Sequence, residues 1–173
     1  MRRFAPLCAA CLMIMLAISP ATAAAQTTGN ETFDGFLVVS GASGSREVLA
    51  SGIRASGVFK GVGRIVEREN LPGDPDNVSR DDLVFPDGTM HIVNVTLDVS
   101  SDLNPISCIA TFTVQQETSI EGGTGIFADA TGSGTATVIG RAKAQRAPDG
   151  SCDMNQLPLF EHDKVTASIS LSF

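Results

Sequence analysis

Val165-Thr166-Ala167-Ser168-Ile169-Ser170-Leu171-Ser172-Phe173 alternates without a flaw. Val165, Ala167, Ile169, Leu171 and Phe173 fall on one face, and Thr166, Ser168, Ser170 and Ser172 on the other. A period of two is that of a strand with one buried side. Such a strand, apolar on one face and last in the sequence, would leave a row of unpaired backbone groups at a sheet edge and invite aggregation. Pairing it with the first strand removes that edge. A closed antiparallel barrel therefore accounts for this segment better than an open two-sheet sandwich.

Working back along the chain, a strand from Asp82 to Phe85 leads into Pro86-Asp87-Gly88, which reads as a turn, because Pro presets φ and Gly accepts a positive one. Thr89 to Val99 follows as its partner strand. His91, Val93, Val95, Leu97 and Val99 share one face, read as the apolar one, against Asn94, Thr96 and Asp98. Further strands are expected at Thr32–Ser40, Arg46–Ser51, Gly57–Glu69, Ile106–Glu117 and Gly134–Gln145. No helical period is sustained anywhere. The expectation is an all-β domain of about eight strands over residues 32–173, with residues 26–31 polar and loose.

The first 25 residues have another character. Arg2 and Arg3 precede an apolar run from Leu7 to Ile18, and Ala23-Ala24-Ala25 supplies small residues for a peptidase. This is the layout of a signal peptide cleaved near Ala25, and the apolar run is too short for a stable membrane span. A secreted or periplasmic protein is expected, with no membrane span after cleavage. Without the two arginines, 10 basic residues stand against 19 acidic ones, for a net charge of −9. A surface that negative repels phosphate backbones, so nucleic acid is not an expected partner. Two cysteines remain, Cys108 and Cys152. An exported chain meets an oxidising compartment, so one disulfide between them is expected.

Candidates for chemistry are few. His91, on its apolar face, is the one candidate for an acid or base in the barrel cavity. His162 sits in Glu161-His162-Asp163, read as an exposed turn. Asp74, Asp76, Asp81 and Asp82 cluster, but their spacing misses a calcium loop. No catalytic residue, metal site or cofactor is assigned.

The remaining distinctive stretch is Ile120-Glu121-Gly122-Gly123-Thr124-Gly125-Ile126-Phe127-Ala128-Asp129-Ala130-Thr131-Gly132-Ser133-Gly134. It contains the loose pattern G-x-G-x-x-A, yet a strand restarts by Gly134 where a dinucleotide site needs a long helix. A structural reading is better: Gly122, Gly123 and Gly125 turn the chain, Phe127 plugs one end of the barrel, and Gly132 and Gly134 restart the wall. GGTGIFADATGSG resembles the glycine signature shared by dirigent proteins, allene oxide cyclases and many secreted bacterial barrels. The segments Asp81–Thr89 and Asn104–Cys108 are similar to the bacterial branch. The resemblance implies an eight-stranded antiparallel barrel with a cavity. It leaves three roles: binding a small apolar molecule, a structural or interaction domain that forms a homo-oligomer, and a cyclase- or isomerase-type enzyme that folds a reactive apolar substrate.

Overall fold

The computed structural model describes residues 26–173, so the signal-peptide reading of residues 1–25 lies outside the described residues. Eight strands form a closed antiparallel barrel: β1 (Thr28–Ser40), β2 (Glu47–Gly57), β3 (Lys60–Arg68), β4 (Val78–Phe85), β5 (Gly88–Asn104), β6 (Ile109–Gly123), β7 (Thr131–Lys143) and β10 (Phe160–Ser172). Two short strands, β8 (Gln145–Arg146) and β9 (Cys152–Asp153), pair with each other in the loop before β10. Each barrel strand lies beside its neighbour in sequence, and β10 returns to β1 from Thr28↔Ser172 to Val39↔Glu161. The alternating segment is thus the strand that closes the barrel. Ile169 and Leu171 are buried inside, and Phe173 packs against the same core.

Several expected boundaries move, each for a local reason. Residues 28–31 are not loose. They pair with β10, Thr28 Oγ1 lies 2.8 Å from Ser172 Oγ, and Glu31 is fully buried. Gly57–Glu69 is not one strand. The chain reverses at Val58-Phe59, where the Gly57 N–H donates to the Phe59 carbonyl and Glu31 Oε2 accepts the Phe59 N–H at 2.8 Å. Cys108 precedes β6 instead of lying within it. Asn104 Oδ1 accepts the N–H groups of Ile106 and Ser107, each at 3.0 Å, and this side-chain turn delays the strand.

In β5 the expected faces are exchanged. Met90, Ile92 and Asn94 point inward, whereas His91 and Leu97 point outward; Val93 shares the side of His91 but is buried there. Thr96 pairs with Gln116 and Asp98 with Gln115, so Leu97 is an extra residue in a bulge. The bulge reverses the alternation and turns Val99 inward.

One end of the barrel is closed. A single 3₁₀ turn, Gly125–Phe127, carries Phe127 into it, and that side chain is fully buried. Phe59 meets Phe85 and Phe127 edge-on, with ring centroids 5.0 Å apart in both pairs, and Phe127 lies 5.4 Å from Phe173. Gly125 has φ +61°, and a Cβ there would run into the Asp87 carbonyl. The segment therefore fits against the Pro86-Asp87 turn only because Gly125 has no side chain. The Ile126 N–H donates to that same carbonyl at 3.1 Å.

At the other end, a disulfide joins Cys108 to Cys152, 44 residues apart, and ties the β7–β10 loop to the start of β6. In the chain-entropy description a loop of that length contributes about 4 kcal/mol. Cys152→Ser is expected to lower stability by that order, read as a fall in the denaturant midpoint with an unchanged β-sheet circular dichroism spectrum.

Candidate functional site

The inward faces of the strands do not fill the barrel above its aromatic plug. A cavity of about 730 Å³ remains, open at the disulfide end. That volume falls inside the roughly 300–1,000 Å³ range of small-molecule sites. Its lower wall is apolar, with Phe33, Ile53, Ile65, Leu83, Ile92 and Ile169 contributed by six different strands. Ala136 and Ala167, paired across β7 and β10, keep the middle wide because they carry only a methyl group.

Above this wall the lining turns polar and mostly acidic. Thr118 Oγ1 donates to Asn94 Oδ1 at 2.8 Å, and Asn94 Nδ2 donates to Asp81 Oδ2 at 2.9 Å, a ladder across β6, β5 and β4. Higher up stand Glu67 from β3 and Glu161 and Asp163 from β10. Arg46, in the loop before β2, reaches across the opening. Its Nη2 lies 2.8 Å from Glu67 Oε1 and 3.4 Å from Glu161 Oε1. Burial alone would lower the Arg46 guanidinium, but hydrogen bonds and charge from Glu67 and Glu161 outweigh it and hold Arg46 above its ordinary value. The guanidinium groups of Arg68 and Arg80, which also border the opening, are held by Asp82 and by Asp74 and Glu121.

Two carboxyls are shifted toward neutrality. Burial, then the charges of Glu67 and Asp82, push Asp81 up to about 6, against a hydrogen bond from Asn94. Burial, then the charge of Glu161 and a hydrogen bond with it, push Asp163 up to about 7. Asp163 is only 5% exposed, and its Oδ1 has no hydrogen-bond partner. Gly140 makes room for it: a Cβ there would collide with both Asp163 Oδ1 and the Phe112 ring.

The structure puts the expected site residues in different places. His91 is not in the cavity lining. It stands on the outer face, its Nδ1 2.7 Å from Asp82 Oδ1, because β5 turns the faces opposite to the expected way. His162 is also on the outside, next to the inward-facing Glu161 and Asp163. The aspartates of the 74–82 segment do not converge. Asp74 pairs with Arg80, Asp82 with Arg68 and His91, and Asp81 enters the cavity. Gly122, Gly123, Gly125, Phe127 and Gly132 belong to the closed end, away from the opening. Sequence reading missed Asp81, Asp163, Glu161 and Arg46. The inward alternation of Val165 to Phe173, carried back two and four positions, would have reached Asp163 and Glu161. Among the described residues no helix is long and apolar enough to cross a membrane, and no group of three His, Cys, Asp or Glu side chains is arranged to hold a metal ion.

An Asp with a raised folded-state pKa takes up a proton on folding, between the unfolded value near 3.9 and about 7. Its contribution is most favourable below that window and is lost as pH rises through it. Asp163→Asn, which holds no charge, should therefore raise the thermal midpoint at pH 8 and gain progressively less as pH falls below 7. No protein-family model, curated protein or solved structure matches this chain.

Proposed function

We propose that this barrel is a secreted binding protein for a small, largely apolar molecule. The observation that supports it is the open cavity of about 730 Å³ with an apolar lower wall drawn from all sides of the barrel. A purely structural role fits less well, since a barrel of eight strands can be filled by its own side chains and this one is filled only at its plugged end. Export in this reading rests on the signal-like residues 1–25, and the disulfide is compatible with it. Kinship with the allene oxide cyclase and dirigent-like barrels rests on the glycine segment and on the closed eight-stranded architecture.

A second reading draws on Asp81 and Asp163. Carboxyls poised near neutrality beside an apolar cavity can give or take a proton, as a cyclase or isomerase acting on a reactive apolar substrate requires. Binding is preferred, because it needs only the cavity.

N-Phenyl-1-naphthylamine, an uncharged apolar dye, tests the binding reading in a chain without Trp or Tyr. Its fluorescence should rise on mixing with the protein. Ala167→Phe, which places a ring in the middle of the cavity, should weaken binding by about tenfold or more, a loss of about 1.4 kcal/mol. Equal dye binding by both proteins would place the dye elsewhere and remove the support for a cavity site.

A further inference from the structure

We propose that the molecule taken up by the cavity is an organic cation, an amphiphile whose ammonium or guanidinium group rests against Asp163 while its apolar body lies on the wall below. This rests on the reading of the cavity as a binding site and specifies its ligand class.

Asp163 is buried in the acidic collar, two residues along β10 from the apolar Val165 of the lining, and one of its oxygens lacks a partner. A buried acceptor left unsatisfied is costly, and the missing partner is a donor. The groups that face it come from every neighbouring strand. β10 itself offers Glu161, β3 offers Glu67 and β4 offers Asp81. β1 presents Leu37 opposite it, β7 presents Gly140, and Phe112 of β6 reaches over that glycine. The one cation among them is Arg46, and it is occupied: its Nε and Nη2 donate to Glu67, and Nη1 and Nη2 to Glu161. Arg68 and Arg80 border the opening too but are held by Asp82 and by Asp74 and Glu121, so Asp163 has no cation of its own.

Phe112 adds a further reason. Its ring and Asp163 Oδ1 both approach the space that a Cβ at Gly140 would fill. A carboxylate beside an aromatic ring suits a cation carried on carbon, which gains from both. A bare metal ion would be poorly served by the apolar wall directly beneath. An anionic head would meet Glu67, Glu161 and Asp163 together.

An ammonium group binds the ionised carboxylate, so below about pH 7 each binding event releases the Asp163 proton to solvent. Affinity should then rise with pH up to about 7 and level off above it.

Calorimetric titrations with octylammonium, 1-octanol and octanoate at about pH 7.5, below their aggregation concentrations, separate the contributions of head and tail. Octylammonium is expected to bind about tenfold or more tighter than octanol, as a charge-assisted hydrogen bond implies, with octanoate the weakest. Asp163→Asn should bring octylammonium to the affinity of octanol and leave octanol itself unchanged. Glu161→Gln, which removes a neighbouring charge and keeps Asp163, should reduce the preference in part, and serves if the first variant does not fold. At about pH 6, titrations in two buffers of different protonation enthalpy should register proton release. Octanol binding as tightly as octylammonium, or a preference that survives Asp163→Asn, would overturn the cation assignment while sparing the cavity reading. Binding of none of the three would overturn both.

Discussion

The pairing of β1 with β10 is the constraint on which the rest depends. Six of the barrel's eight junctions join consecutive strands, and a seventh, β7 to β10, spans only the loop that holds β8 and β9. The eighth joins Thr28–Val39 to Glu161–Ser172 and turns a long sheet into a tube. A tube has an inside, so the inward faces become either core or cavity. It also brings Asp163 opposite Leu37 and Glu161 opposite Val39, so the acidic collar exists only because the ends of the sheet meet.

Inside the tube, side-chain size decides which part is solid. Phe59, Phe85, Phe127 and Phe173 fill the closed end, the other three rings each edge-on to Phe59. Ala136 and Ala167, further up, leave room, and Gly140 makes way for Asp163 and the Phe112 ring. The polar lining begins where the volume opens, and there the carboxyls sit between two environments. They are dry enough to resist ionisation and close enough to the opening to meet a ligand. Arg46 neutralises part of this charge without filling the space below it.

Much of the fold was legible because a period of two survives without interruption in Val165–Phe173 and because Pro86-Asp87-Gly88 marks a turn by its chemistry. The disulfide followed from the count of two cysteines and the expectation of export. What escaped was set by contacts distant in sequence. The bulge at Leu97 reverses the faces of β5 through its pairing with Gln115 and Gln116, and composition does not show it. Because His91 is read with Val93 and Val95, the sequence suggests an inward histidine, while the side facing the barrel's interior carries Met90, Ile92 and Asn94. The site residues were harder still. Asp163 and Glu161 flank an exposed histidine in a polar-looking tripeptide, and only the barrel's curvature sets them facing Glu67 and Arg46.

The two ends of the tube are secured by different forces. The plugged end is held by packed rings and fails by heat or denaturant, in one step with the core. The open end is held by a covalent bond between sulfurs, with Cys152 in a loop that shares no ring with the plug. Reduction cuts that tie and lowers the stability of the whole barrel through the unfolded chain, without touching the packed rings at its base.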